Sequence, residues 1–348
     1  MKVAHLYACK AKKNSGDFLI GPATKNRFKE IVKNDKVSFT DFDIRADYTL
    51  KKIQALNDNF DAIIIGSGGL ILPDTIAAAG SPSGWQWKIN DSILNNISIP
   101  IYVISIGYNT FFEQTMGMTN RNNNKLDKIK KQAFINSISL LVKKSTYFSM
   151  RHRRDIEKLI NDIGEKYLDK VLFEFCPTID YTKSKSLKSN GDYIAFEIKD
   201  DRLWRRCYKI GEKRFYLELL ESVKRLLELG EKVVFLSHDG SSKFYKYLKK
   251  HGIHIPMLSN TMANEDLIYA NYTKIKAIVC TAGHSQMISS AIEGIRVVSL
   301  ITHPKLINFC RDIGDENYVM PNRDFNFSKD IISKTLSGNI KQKKQQKS

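Results

Sequence analysis

The sequence predicts an α/β protein of two domains, each built on a mostly parallel sheet covered by helices. Three observations predict it. Short apolar runs of strand type alternate with segments of helical periodicity along most of the chain. The alternation lapses between residues 176 and 191, where TKSKSLKSNGD is polar and linker-like, and then resumes. Several strand-like runs also end in glycine or small polar residues, the position at which open α/β sheets bind ligands. The expected divisions are an N-terminal domain at 1–180, a C-terminal domain at 181–335 and a basic flexible tail at 336–348.

In order along the chain, residues 3–7 form the first expected strand, followed by a turn at Asn14-Ser15-Gly16-Asp17 and a helix around 23–32. Residues 37–43 read as a second strand and 48–56 as a helix. The run DAIII at 61–65 is a buried strand leading into a Gly66-Ser67-Gly68-Gly69 turn, and 73–87 is loop-rich. A strand at 101–106 ends at Gly107, a long amphipathic helix covers 125–141, and a short strand at 147–150 ends at Arg151. In the second series, strands at 193–198 and 233–237 flank a helix at 216–228 that Gly230 ends. A helix follows at 243–251. Residues 277–280 and 297–301 then form a βαβ unit around a helix at 287–292, closed by Gly294. Two such series joined near residue 185 give Rossmann-like domains facing a cleft, the GT-B plan.

Composition narrows the partners. The formal net charge of +18 over 348 residues favours anionic ones: phosphate-bearing donors, acidic polysaccharide, nucleic acid or an anionic membrane face. Much of the excess is lysine spread along helices, which suits solvated faces, and the end of the chain, KQKKQQKS, adds more. No basic-aromatic motif of RRM or OB type accompanies it, so no nucleic-acid partner is expected. The five cysteines are scattered, without CxxC or metal spacing, which suits reduced thiols in a cytosolic protein. The start, MKVAHLYACKAKK, holds too short an apolar stretch for a signal peptide, and no run approaches the ~18 apolar residues of a membrane span. A cytoplasmic protein is expected, with basic residues including the tail supporting peripheral contact with anionic lipid on the inner face of the cell membrane.

The chemistry-bearing residues cluster at strand ends. His284 follows the run 277–280, where an imidazole that titrates near neutrality is placed for acid–base work; the same position suits a helix-start histidine bonded to backbone. Gly66–Gly69 matches neither GxGxxG nor a P-loop, so it is either a generic phosphate or carboxylate cradle or a tight packing turn. Arg151-His152-Arg153-Arg154 opens a helix. Basic residues are unfavourable there, which raises the odds that at least one of the three arginines binds an oxyanion. Arg202, Trp204, Arg205 and Arg206 form a second basic-aromatic cluster, suited to stacking on a sugar or nucleobase or to a plain loop at the domain junction. Asp41-Phe42-Asp43 is the only DxD, on an early strand where a structural role is as natural as a functional one. His251 and His254 lack accompanying ligands, so no metal site is expected, and no cofactor.

Taken in order, these segments resemble the polysaccharide pyruvyl transferase family over roughly residues 1–320. The carriers are NSGD at 14–17, DAIIIGSGGLIL at 61–72, IPIYVISIG at 99–107, FSMRHRRDIEKL at 148–159, CPTIDY around Asp180, and GHSQMISSAIEGIRVVSLITHPK at 283–305. The resemblance implies a GT-B-like fold and transfer of a carboxyvinyl-derived pyruvyl group from phosphoenolpyruvate to a sugar, as a ketal or an enol ether. Arg151, His284 and Lys305 match the family's arginine, histidine and lysine. His284 is then the expected general acid and Asp17 the expected base. Arg151 and Lys305 would neutralise the donor, with Asn14, Gly16, Gly68, Gly69 and Ser285 completing the substrate-binding set. One departure stands out: the family's arginine two residues before the histidine is Ala282 here. Either Arg153, Arg154 or Arg206 replaces it, or the donor differs.

The first expectation is therefore a transferase of cell-surface polysaccharide biosynthesis acting on a polysaccharide or lipid-linked glycan with phosphoenolpyruvate or another anionic donor. The alternatives are a GT-B glycosyltransferase using a nucleotide sugar on a cell-envelope glycan, and a non-catalytic anion-binding module.

Overall fold

The structure, a computed structural model, describes residues 1–10, 14–72, 81–112, 124–207, 210–321 and 326–345. The chain divides into two compact units, Met1–Ala11 with Asp17–Tyr181 and Lys12–Gly16 with Thr182–Ser348.

The first unit holds β1 (Lys2–Tyr7), α1 (Ser15–Val32), β2 (Ser38–Asp43), α2 (Leu50–Asn59), β3 (Ala62–Ile71), α3 (Asp91–Asn95) and β4 (Ile101–Tyr108). It continues with α4 (Asn124–Lys144), β5 (Tyr147–Met150), α5 (Arg153–Ile163), β6 (Leu172–Phe173) and α6 (Thr178–Lys183). Its six strands are parallel in the order β2-β1-β3-β4-β5-β6. The continuous apolar run of β3 is explained by burial on both faces. Ile63 and Ile65 pack with Trp85, Trp87 and Phe134 on one face, while Ala62 and Ile64 pack with Val3 and Phe28 on the other.

The second unit holds β7 (Tyr193–Glu197), α7 (Leu203–Arg206), α8 (Glu212–Glu228), β8 (Lys232–Ser237), α9 (Lys243–Lys250), β9 (Met257–Ser259) and α10 (Glu265–Tyr272). After these come β10 (Ile275–Cys280), α11 (Gly283–Ser290), β11 (Arg296–Leu300), α12 (Pro304–Ile313), β12 (Tyr318–Val319) and α13 (Phe327–Gln345). The parallel order is β12-β11-β10-β7-β8-β9. Phe215, Leu219, Val223 and Leu226 place the apolar stripe of α8 on Phe196, Phe235 and Val279. Burying each such side chain contributes roughly 1.5–3 kcal/mol. The order reverses direction between β7 and β10, and the crevice beyond the carboxyl ends at that point is the standard ligand position of an open α/β sheet.

Several elements differ from expectation. The NSGD segment is no separate turn: α1 begins at Ser15, with the Asn14 side chain accepting from the Gly16 N–H at 3.0 Å, and continues through Pro22. Nor is the Gly66–Gly69 stretch a turn, because it lies inside β3. Gly66 has φ +111°, and a Cβ there would press on the Ile104 carbonyl oxygen at 2.5 Å, so the strand admits only glycine at that point. The βαβ helix starts at Gly283 rather than at 287, which puts His284 in its first turn. Part of the irregular stretch after 176 is the short helix α6. Helix α13 runs to Gln345, into the stretch expected as a basic flexible tail. The loop expected at 73–87 lies partly outside the described residues. Among the described residues no helix is long and apolar enough to cross a membrane.

Candidate functional site

In the second unit, to which residues 12–16 belong, the loops after β8 and β10 meet Ser15 and Gly16. His284 stands in the first turn of α11 and Lys305 in the first turn of α12, where His303 Nδ1 accepts from the Lys305 N–H at 3.3 Å. Two glycines make room. A Cβ on Gly16 would overlap His284 Nδ1, Cγ and Cβ, and one on Gly283 would sit 3.3 Å from Lys305 Cε and 3.7 Å from its Nζ. An ammonium therefore lies against the N-terminus of α11, where the first-turn N–H groups have no partner within the helix. Positive charge is unfavourable at a positive helix end. Two helix starts carrying a lysine and a histidine make a spot that an anion would relieve.

His238 follows β8, in the His238-Asp239-Gly240 stretch that ends that strand. It is 1% exposed. Ser15 Oγ lies 2.9 Å from its Nδ1 and 3.1 Å from its carbonyl oxygen, and the two imidazoles of His238 and His284 have centroids 6.5 Å apart. Burial pushes the His238 imidazole down to about 3; Asp239 opposes this, while Lys199 and Lys305 add to it. Asp239 pairs with Lys199. Burial alone would raise the Asp239 carboxyl, but Lys199 and the Ser241 side chain hold it well below the usual range.

At the reversal between β7 and β10 stands Glu197, also 1% exposed. Its Oε2 accepts from the Thr281 N–H at 3.1 Å and the Ala282 N–H at 2.8 Å, which ties β7 to the start of α11. Burial, with Asp239 adding to it, pushes this carboxyl up to about 7 against the pull of Lys199 and those N–H groups. A strongly shifted carboxyl at a switch point is a functional-site signature. Ala282, in the place of the family arginine, is buried beside it. Of the three arginines weighed as substitutes, Arg206 alone is in this unit. It is 6% exposed, donates from Nε to the Asp201 carbonyl at 2.8 Å, and has its pKa lowered by burial, with Asp201 and Glu197 opposing. Ser285, expected to bind substrate, is fully buried beside the Tyr272 hydroxyl on the core side of α11. Trp204 is 63% exposed, with the Arg205 guanidinium 5.0 Å from its ring.

In the first unit Arg151 follows β5 and is 3% exposed. Its Nη2 donates to Asn109 Oδ1 at 3.2 Å, and Nε has no hydrogen-bond partner among the described residues. Gly69 and Gly107 accommodate it: a Cβ on Gly69 would overlap Asn109 Nδ2 and lie 3.0 Å from Arg151 Nη2, and one on Gly107 would overlap Arg151 Nε. A Cβ on Gly68, in contrast, would sit 3.2 Å from the Ile20 Cδ1 methyl, a packing neighbour. Arg153 and Arg154 face away from this role, with Arg153 4.3 Å above the Phe173 ring and Arg154 paired with Glu157. Asp17 is half-buried in the first turn of α1, where a carboxylate is favoured by the helix dipole. The DxD residue Asp41 is structural: it pairs with Lys25 at 2.8 Å and faces His5 at 3.6 Å. No group of three or more potential metal ligands occurs among the described residues.

Comparison with known proteins completes the description. The family model described as polysaccharide pyruvyl transferase matches residues 14–272. No curated protein matches the chain. Among solved structures, Anabaena HepE in complex with UDP and glucose is similar at TM-score 0.54 and 10% identity, covering 98% of this chain and 91% of that one. UDP-GlcNAc 2-epimerase from Neisseria meningitidis bound to UDP-GlcNAc is similar at 0.52 and 13% identity, with 98% and 92% covered. The Methanocaldococcus jannaschii UDP-GlcNAc 2-epimerase in complex with UDP-GlcNAc and UDP gives 0.51 and 9%, with 96% and 91% covered. At such identities the likeness shows the fold, which is GT-B-like with two parallel six-stranded sheets.

Proposed function

The chain belongs to the polysaccharide pyruvyl transferase family, a transferase that modifies polysaccharide, and from that premise we propose that its donor is phosphoenolpyruvate and its acceptor a hydroxyl of a cell-surface glycan or its lipid-linked precursor. The observation that carries this reading is the Lys305 ammonium lying against the N-terminus of α11 beside His284, with Gly16 making room for the imidazole and Gly283 for the lysine side chain. A compact phosphate ester that also carries a carboxylate suits it: the ammonium and the helix start offset the anionic charge, with the imidazole beside them. His284 acts as the general acid: it protonates the methylene carbon of the donor as the sugar oxygen adds to the central carbon and gives up its proton to a base. The C–O bond to phosphate then breaks and phosphate leaves. The adduct either loses a methyl proton to give the enol ether or is attacked by a second hydroxyl to give the ketal. A bound phosphate favours the imidazolium that the helix start alone disfavours, so donor binding recruits the proton. Arg206 is the candidate for the charge that Ala282 lacks, since it is the buried guanidinium of the same unit. In the first unit Arg151 is the candidate anion-binding group, and Asp17 remains a proposed base for the acceptor hydroxyl.

A nucleotide-sugar donor is the second reading. Ala282 favours it, as do the UDP and UDP-GlcNAc bound in similarly folded proteins. Thermal shift separates the two. Phosphoenolpyruvate at 100 times its Kd should stabilise the protein by about 2.7 kcal/mol, with the effect growing with concentration, while UDP and UDP-GlcNAc leave the midpoint unmoved. Stabilisation by the nucleotides alone would replace the first reading with the second. The net charge also supports peripheral contact with anionic lipid; co-sedimentation with anionic vesicles should weaken as salt is added, and a salt-independent association would refute it.

A further inference from the structure

Helix α11 has few start signals of its own. Its N-cap position is Ala282, which has no side-chain oxygen to offer the first-turn N–H groups, and its first turn holds no acidic residue. Strand β10 ends at Cys280 and the helix begins at Gly283, so Thr281 and Ala282 alone set where the helix stands, and with it His284 in the first turn. Both of these linking residues are buried, at 1% and 4% exposure.

The link is held from β7. Cys280 pairs in register with Glu197, the last residue of that strand. The Thr281 N–H is shared between the Glu197 carbonyl oxygen at 3.0 Å and Oε2 at 3.1 Å, and the Ala282 N–H donates to the same Oε2 at 2.8 Å. The Thr281 hydroxyl donates to the Glu197 carbonyl at 3.3 Å and accepts from the Lys199 N–H at 2.7 Å. A backbone N–H only donates, so Oε2 accepts from both residues whether or not the carboxyl carries a proton. Burying a carboxyl at the end of a core strand is costly, and packing alone would be served by an apolar side chain, which would leave the Ala282 N–H unanswered. We propose that Glu197 is a positioning residue for the transfer reaction: by holding the Thr281 and Ala282 N–H groups, its Oε2 sets the start of α11 and the place of the His284 imidazole. The assignment rests on the reading of His284 as general acid and deepens it. What acts is an accepting oxygen at a fixed reach, rather than the negative charge. Glutamine keeps that oxygen at the same reach. Aspartate keeps the carboxylate but is one methylene shorter.

The test compares Glu197→Gln with Glu197→Asp in the full chain labelled with ¹⁵N-histidine, the His284 signals being assigned by their loss in His284→Gln. In Glu197→Gln the His284 ring signals should stay at their wild-type positions. In Glu197→Asp they should move, while those of His5, in the first unit, stay. Pyruvyl transfer from phosphoenolpyruvate should follow the same split: Glu197→Asp should lower kcat roughly tenfold with KM for phosphoenolpyruvate changed by less than about twofold, and Glu197→Gln should keep kcat within about threefold. A merely structural role would leave the His284 signals and kcat per folded molecule at wild type in both variants, and that result overturns the proposal. So does a His284 signal moved as far by Gln as by Asp, which would make the charge the active feature. Should Glu197→Asp not fold, amide hydrogen exchange decides: equal protection of the Thr281 and Ala282 N–H groups in wild type and Glu197→Gln supports the proposal, and loss of protection in Glu197→Gln overturns it. If the wild type transfers nothing from phosphoenolpyruvate, the donor assignment falls, and the His284 signals still decide whether Glu197 places that imidazole.

Discussion

In the first unit the strand ends hold glycines that make room for one guanidinium, that of Arg151, whereas in the second they hold imidazoles, an ammonium and a buried carboxyl. Two buried histidines sharpen the contrast. His5, in β1, donates from Nε2 to the Gly66 carbonyl, has Asp41 3.6 Å from Nδ1, and stacks on Tyr7 with centroids 4.2 Å apart. Its Nδ1, like Nε2 of His238, has no hydrogen-bond partner among the described residues. His238 has one nitrogen held by Ser15 and the other bare. Burial lowers both pKa values, so the shift by itself separates nothing. The difference lies in the neighbours: His5 sits within the sheet beside the Asp41 carboxylate, and His238 stands at a strand end beside Ser15 and the His284 ring.

If that contrast is right, substitutions in the second cluster should alter activity before stability, and the reverse should hold in the first. The largest expected effect is from His284→Gln, which should lose at least ~100-fold in transfer rate with little change in thermal midpoint. Retained activity would remove His284 from the chemistry, and a collapse of the midpoint would make it structural.

Glu197→Gln should change how stability varies with pH. The folded carboxyl is raised from 4.5 to about 7, so its contribution to stability is fully present below pH 4.5 and is lost as pH rises through 7. That loss amounts to roughly 3 kcal/mol. His238, lowered from 6.5 to about 3, acts in the opposite sense: its contribution is present above pH 6.5 and is lost as pH falls toward 3. Between pH 4.5 and 6.5 the two slopes oppose one another. The Gln variant should therefore gain on the wild type steadily up to pH 7 in urea denaturation, with its own stability rising with pH through that window. Parallel curves would show that Glu197 titrates normally.

A pair of glycine variants compares the units directly. Gly69→Ala brings a Cβ against the side-chain ends of Asn109 and Arg151, which can swing aside, and should cost ~1 kcal/mol. Gly16→Ala brings a Cβ against the His284 Cβ as well as its ring, more crowding than the ~1 kcal/mol of helix propensity gained in α1 offsets, and should cost ~1–3 kcal/mol. Its transfer rate should also fall about tenfold as the imidazole is displaced. An unchanged transfer rate in Gly16→Ala would erase the contrast. Smallest of all, Trp204→Ala, on a side chain 63% exposed, should change stability by less than ~0.5 kcal/mol in the same denaturation assay; a larger loss would mark the indole as packed.

Most of the regular elements were legible from the sequence because apolar period and glycine punctuation are local. The run at 147–150 is β5 to the residue, and the strands at 193–198, 233–237 and 277–280 are displaced by a residue or two at most. Where reading failed, a long-range contact had overridden a local rule. Gly66–Gly69 looks like a turn because nothing local shows that Ile104 and Arg151 pass where its side chains would be. Helices α10 and α12 escaped notice, one short and weakly patterned, the other opening on Pro304 at its first position.

The sequence by itself determined the two α/β series, the family and the position of His284 and Lys305 at strand ends, since each is carried by residue type and spacing within a short stretch. Only the tertiary structure decided the order of the strands, and with it that Glu197 meets the start of α11. It alone brought Ser15 against His238, residues 223 apart in the chain. Strand order and the direction of a hydrogen bond are properties of neighbours in space, and one sequence read alone does not specify which distant residues become neighbours.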